Sequence, residues 1–484
     1  MLSVLCRASL CVLLAVSSAL ACAAGLPPAV AKALKQAGLP QDAMVTMVAE
    51  AGRPGKPRLA YRAEQLVNPA SLMKLFTTYA ALDLLGPAYS WTTPVYLDGR
   101  IVNPGPAGVL EGSVYIQGRG DPTLVLERVW LLVQRLRQAG VREIRGDIVL
   151  DRSAFSVPEA DPGDFDGEPY RPYNVRPDAL LFNFKSLNLS FEPDVPAGVA
   201  RISIEPSLAG LHIDESVALA NGPCNDWRSA LKADFNDPAR IRFGGSFAAT
   251  CGDRQWPLAY ADPRSYNARL LIALWQGVGG LLSGQVREGT VPPGLKPAFE
   301  FGSPPLADAV RGINKFSNNT MAQQLFLTLG LTQRGTGSFE AAREVVAAQA
   351  QERVGCSTDE LMLDNGAGLS RDGRVSARCM ARLLQAAWGS AVMPELLSSL
   401  PVAGVDGTTK QPDRAWGRAQ GRAHLKTGSL RDVTGLAGVV LGASGRRYVL
   451  VAIVNHPNAA AARPALDALV QWTAADGSAP RRRP

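Results

Sequence analysis

Histidine is nearly missing from this chain: His212, His424 and His456 are the three in 484 residues, far apart and without metal-ligand spacing. None of the seven cysteines falls in a Cys-x-x-C pair. A zinc site needs closely spaced thiolates and imidazoles, so no metal is expected, nor any organic cofactor. A Ser-His-Asp arrangement would have to recruit one of these histidines by folding, and His424 is the only credible one. The longest apolar run, Ala8 to Ala21, falls short of the ~20 residues that span hydrocarbon. No repeat of fixed period is visible. The formal net charge is +7, but the cations are spread along the chain, which favours an acidic polymer or surface over nucleic acid.

What is present is ordinary globular composition, 46% hydrophobic and 19% charged, long enough for about three domains. Arg7, the apolar run and Ala21-Cys22-Ala23 read as a secretory signal peptide over residues 1–23. The mature protein is therefore expected to be exported to the periplasm without a transmembrane anchor. Ala19-Leu20-Ala21-Cys22 offers a rival reading, a lipoprotein box acylated on Cys22. Cys6, Cys11 and Cys22 leave with the signal, and the even remainder suits an oxidising compartment. Proximity along the chain favours Cys224 with Cys251 and Cys356 with Cys379; four buried free thiols are the alternative.

Hydrophobic spacing predicts a helix over 27–38, strands over 44–49 and 58–61, and an apolar, buried helix from Ser71 to Leu82 that stops at Gly86-Pro87. From Trp91 to Gly302 short β-like runs alternate with Gly, Pro and Asp, with one good helix, 124–139. The polar loop 161–167 divides this stretch into two lobes. Helices return over 320–329, 339–350 and 376–388, strands over 423–430, 434–441 and 447–454, and a closing helix over 460–473. Strands from both chain ends are expected to share one antiparallel sheet. The core is then 24–90 with 303–475, the inserted, mostly β region is 91–302, and 476–484 is a basic flexible tail.

Three short motifs carry chemistry. Ser71-Leu72-Met73-Lys74 puts a hydroxyl and an amine one helical turn apart. A serine becomes a nucleophile when a base takes its proton, and a buried lysine, or one beside another cation, can be that base. The same spacing recurs at Ser229 to Lys232, so alone it selects weakly. Lys426-Thr427-Gly428-Ser429 contains the only Lys-[Ser/Thr]-Gly of the chain. Lys426 and Thr427 can hold a substrate carboxylate, Gly428 admits a substrate backbone, and the Ser429 N–H can face a developing oxyanion. In Ser317-Asn318-Asn319 the hydroxyl can pass a proton to a leaving amine and Asn319 can hold a substrate amide and the lysine; a helix N-cap is the plain alternative for Ser317.

In this order Ser-x-x-Lys, Ser-x-Asn and Lys-Thr-Gly form the set that marks penicillin-binding proteins and serine β-lactamases. Their flanks, Asn68-Pro69-Ala70, Gly118 to Leu124, Asn314 to Phe316, Asp364 to Arg371, Leu400 to Thr408 and His424-Leu425, make the mature chain resemble the D-alanyl-D-alanine carboxypeptidase/endopeptidase family, the DacB-like class C low-molecular-mass penicillin-binding proteins. The resemblance implies an α/β (α+β) fold: a penicillin-recognising serine transpeptidase/β-lactamase-like core of antiparallel sheet with helices on both faces, plus inserted lobes. It implies that Ser71 is acylated, that Lys74 is its base, that Ser317 and Asn319 form the second motif and Lys426, Thr427 and Gly428 the third. Partners would be peptidoglycan peptides, with β-lactam antibiotics as covalent inhibitors. Asn318 stands where the family often has Asp, and its side chain is expected to point away from the site. An acidic residue from the insertion borders the site in some relatives; Asp166 and Glu168 both qualify. A serine β-lactamase and a non-catalytic peptidoglycan-binding scaffold are the rival readings.

Overall fold

A computed structural model describes residues 25–53, 55–105 and 107–476. The expected signal peptide over 1–23, with Cys22, and all but the first residue of the expected tail lie outside the described residues.

Five strands make the central sheet: β1 (Met44–Glu50), β2 (Leu59–Tyr61), β3 (Ala423–Leu430), β4 (Val433–Leu441) and β5 (Arg447–Asn455). Their spatial order is β2-β1-β5-β4-β3, with every neighbour antiparallel, so the first strand of the chain pairs with the last. Side chains alternate across this sheet and both faces are covered. Val45, Met47 and Ala49 point into one core with Val449, Val451 and Ile453, while Met44 and Val48 join Leu450, Ala452 and Val454 in the other. Two-sided burial is why β1, β4 and β5 are apolar over most of their length rather than alternating with polar residues.

Against the second face lie α1 (Pro28–Gln36), through Val30 and Leu34, and the closing helix Arg463–Ala474, through Leu466, Leu469 and Val470. The first face carries α2 (Lys74–Leu85), α3 (Leu306–Phe316), α4 (Asn319–Arg334), α5 (Phe339–Gln349) and α6 (Ala377–Trp388). Every residue of α2 from Lys74 to Leu82 is buried. Ser338 and Ser376 cap α5 and α6, accepting from the N–H groups of Ala341 and Cys379. Cys356 and Cys379 are disulfide-bonded and tie the start of α6 to the segment after α5.

Two corrections to the sequence reading arise here. Ser71 does not open an α-helix: Ala70–Met73 form a 3-10 turn and α2 starts at Lys74. The inserted region holds a second long helix, Tyr266–Gly277, besides Leu126–Gln138. Its buried Tyr266, Leu270, Leu271 and Trp275 recur at helical spacing and pack on Val129, Leu132, Val133 and Leu136 of the other helix. These helices share a core with a seven-stranded sheet whose longest strands are Thr92–Val102 and Val109–Gln117. A separate five-stranded sheet spans Ser186–Asp194 to Arg254–Ala259 and carries the Cys224–Cys251 disulfide.

Candidate active site

The site forms where the 70–73 turn, the junction of α3 and α4, and the edge strand β3 converge. Asn68 sets the first of these. Its Oδ1 accepts from Ala70 N at 2.8 Å and its Nδ2 donates to Ser370 O at 2.9 Å. Ala70 takes a left-handed φ of 49°, uncommon for a residue with a Cβ and the kind of local strain that collects at functional sites. The tight turn then lets Lys74 fold back under Ser71. Lys74 Nζ lies 2.9 Å from Ser71 Oγ, 2.6 Å from Asn319 Oδ1 and 2.6 Å from Ala367 O.

Ser317 is not the helix N-cap that its sequence position suggests. It closes α3 in a left-handed conformation, φ 58°, and Asn318 caps α4 instead, accepting from Met321 N at 3.0 Å. That task turns the Asn318 side chain onto its own helix, and Asn319, the first residue of α4, reaches Lys74. The Ser317 hydroxyl meets Lys426 Nζ at 2.8 Å. Lys426 also donates to Thr427 O at 2.8 Å, and Thr427 Oγ1 to Thr408 Oγ1 at 2.8 Å.

Gly428 has a different reason from the one its motif suggests. A Cβ there would lie 2.7 Å from Pro69 O and 3.0 Å from Leu72 Cγ, so the missing side chain lets β3 pack against the turn that carries Ser71. Ser71, Ser317, Thr408, Thr427, Gly428 and Ser429 line one pocket of about 210 Å³.

Both lysines are fully buried. Burial, and then the charge of Lys426, hold the Lys74 amine well below the ordinary lysine range. Burial brings Lys426 down to about 7. His424 stands apart, with Nδ1 3.2 Å from Leu397 O. Among the described residues no group of three or more His, Cys, Asp or Glu is placed to hold a metal ion.

Three partners escaped the sequence reading. The Ala367 and Tyr173 carbonyls are backbone groups, which no residue type announces; Tyr173 O receives Asn319 Nδ2 at 3.2 Å. Thr408 sits in a flank noted only for its resemblance, and Lys315 anchors its loop through an ion pair with Asp406 at 2.6 Å. Of the two acidic candidates, Asp166 accepts from Tyr173 Oη and Asn174 Nδ2, both at 2.8 Å, whereas Glu168 pairs with Arg171 at 3.2 Å. Burial first, then Asp166, pushes the Tyr173 phenol up to about 12.

Comparison with known proteins agrees in sequence and in fold. A D-alanyl-D-alanine carboxypeptidase from Actinomadura sp. (strain R39) is 31% identical over 417 residues, covering 81% of this chain and 74% of that protein. The D-alanyl-D-alanine carboxypeptidase DacB of Haemophilus influenzae is 25% identical over 430 residues and 86% of each chain. The crystal structure of penicillin binding protein 4 (dacB) from H. influenzae superposes with a TM-score of 0.75 at 22% identity, covering 92% of this chain and 99% of that one. A predatory endopeptidase from Bdellovibrio bacteriovorus shares the fold at a TM-score of 0.53 and 16% identity, covering 91% and 94%. The match to the D-Ala-D-Ala carboxypeptidase 3 (S13) family runs over residues 26–476, and the chain belongs to that family.

Proposed function

We propose that this protein is an exported serine-type D-Ala-D-Ala carboxypeptidase and endopeptidase that cuts peptidoglycan stem peptides through an acyl-enzyme on Ser71. The observation that carries the reading is the surroundings of Lys74 Nζ. A neutral amine offers two N–H donors and one lone pair, and here two obligate acceptors, Asn319 Oδ1 and Ala367 O, stand beside one hydroxyl. With both hydrogens committed, the lone pair is left for the Ser71 proton. Burial beside a second lysine favours that neutral form.

Ser71 Oγ attacks the carbonyl of the penultimate D-alanine while its proton passes to Lys74. The oxyanion is met by the N–H groups of Ser71 and Ser429. The C–N bond then breaks, the proton taken up by Lys74 passes by way of the Ser317 hydroxyl to the leaving amine, and an ester remains on Ser71 beside a neutral Lys74. Neutral Lys74 next takes a proton from water, whose oxygen attacks the ester, and returns that proton to the Ser71 oxygen as the C–O bond breaks; the freed acid ionises to a carboxylate. Lys426 and Thr427 hold the carboxylate of the leaving residue, and Asn319 orients the lysine and the substrate amide. A D-alanine leaving group makes the reaction a carboxypeptidase step; the amine of a cross-linked neighbouring peptide makes it an endopeptidase step.

β-Lactams would acylate the same serine, and a H. influenzae penicillin binding protein 4 has been crystallised with one. Export is supported by the leader and by two disulfides. Among the described residues no helix is long and apolar enough to cross a membrane.

The test is incubation with fluorescent penicillin, muropeptide monomers and cross-linked dimers, comparing wild type with Ser71→Ala by product mass. Slow, stable labelling and D-alanine release that vanish in Ser71→Ala are expected. Rapid penicillin turnover would indicate a β-lactamase and no labelling a scaffold. D-Alanine release by Ser71→Ala at the wild-type rate would overturn the assignment.

A further inference from the structure

We propose that a second cavity, in the inserted region behind the segment that contacts Asn319, binds a carboxylate-bearing peptide. This cavity encloses about 490 Å³, more than twice the pocket at Ser71, and falls within the ~300–1,000 Å³ usual for ligand sites. Much of its wall is apolar, built from Val157, Val175 and four prolines, and four cations, Arg152, Arg176, Lys185 and Arg264, line it.

Three of the cations are already neutralised. Arg152 and Lys185 share Asp178, at 2.8 and 2.6 Å, and Arg264 pairs with Glu159. Arg176 is the exception: it makes no ion pair among the described residues, its Nε–H is buried without an acceptor, and Nη2 reaches only Pro158 O at 3.4 Å. Asp164 and Asp364 act on it from a distance, but burial outweighs them and lowers its pKa. Asp161, the other acid on the wall, is committed to its own turn through Gly163 N at 2.7 Å. A guanidinium with unused donors in an apolar cleft is built for the two oxygens of a carboxylate. Val and Pro walls suit short aliphatic side chains, and the peptide class rests on the function proposed above.

Placement adds the reason for a second site. Val175, Arg176 and Pro177 belong to a short segment whose other contacts run along α4: Asn319 Nδ2 to Tyr173 O at 3.2 Å, Thr320 Oγ1 to Val175 O at 3.2 Å, and Asp178 N to Gln324 Oε1 at 2.9 Å. A peptide held in the cavity therefore rests against the same segment that meets Asn319, and a second arm of a cross-linked substrate is the peptide that this placement suits.

The experiment is calorimetric binding of a disaccharide-tetrapeptide muropeptide, which carries free carboxylates and has already lost the second D-alanine of the D-Ala-D-Ala end, to protein acylated with penicillin. One site should remain after acylation. Arg176→Glu should weaken it at least about tenfold, and Arg176→Gln by a smaller factor, while penicillin acylates both variants within about twofold of the wild-type rate. Loss of binding on acylation, or unchanged binding in both variants, would overturn the proposal. Displacement of the muropeptide by inorganic phosphate at equal concentration would overturn the peptide assignment and leave a simple anion site. Failure of penicillin to acylate Ser71 would count against the proposed function instead, and the cavity would then be judged by the Arg176 variants alone.

Discussion

The active site and the inserted region each bury lysine side chains, and they treat them oppositely; elsewhere in the core the buried Lys315 has a carboxylate partner, Asp406, just as Lys185 has. Lys185 of the insertion is paired with Asp178, which Arg152 also reaches. Burial pushes the Asp178 carboxyl up, but the two cations outweigh it and hold the group below its usual value. In the core neither Lys74 nor Lys426 has a carboxylate among its hydrogen-bond partners; their neighbours are hydroxyls, an amide and carbonyls. A buried charge answers desolvation either by finding a counter-ion or by giving up its proton. The insertion takes the first route, and the surroundings of Lys74 and Lys426 favour the second, as a base at Ser71 requires.

Lys74→Met is the strongest way to break this contrast. It should lower the rate of penicillin acylation by about 10²- to 10⁴-fold, the usual share of a general base, measured by stopped-flow fluorescence. The same change should raise the melting temperature, because an apolar group replaces a buried amine held for function. Asp178→Asn is the mirror experiment. It leaves two cations without their counter-charge and should cost about 3–5 kcal/mol, read by urea unfolding. Its pH dependence has a defined sign: with the native carboxyl depressed, the stabilisation is full above the unfolded value near ~3.9 and is lost as pH falls through the native one.

Opening either disulfide by paired Cys→Ser changes sharpens the division of labour, each at about 2–5 kcal/mol of local stability. Loss of Cys356–Cys379 should lower the unfolding temperature of the part that binds penicillin. Loss of Cys224–Cys251 should leave acylation within about twofold. The smallest effect is a displacement of a pH profile. Lys426→Met removes a charge that depresses Lys74, so the Lys74 pKa rises and the acid limb of the acylation rate moves to higher pH. An unmoved limb would show that burial alone sets the base.

Much of the frame was legible in the residues. Strand β3 has the bounds its pattern predicts, and β4 and β5 differ by one residue at an end. Apolar runs in two-sided strands and an all-round apolar helix leave few alternatives. The helix Tyr266–Gly277 escapes the sequence reading because the Gly, Pro and Asp turns around it make the whole stretch read as β. The plain alternative for Ser317 fails for a local reason: a Ser before an apolar helix reads as a cap, yet here Ser317 closes the preceding helix and its neighbour Asn318 does the capping. The Tyr173 and Ala367 carbonyls could not be found at all, since every residue carries one.

By itself, then, the sequence determined the strands of the central sheet that close the chain and which side chains can supply hydroxyl, amine and amide, because period and residue type are properties of short stretches. Only the tertiary structure decided that burial and Lys426 depress the Lys74 amine, that it faces one serine, and that Gly428 lets β3 close on the turn carrying Ser71. Desolvation, Coulomb repulsion and close contact depend on distances in space, and 246 residues separate Ser71 from Ser317 along the chain.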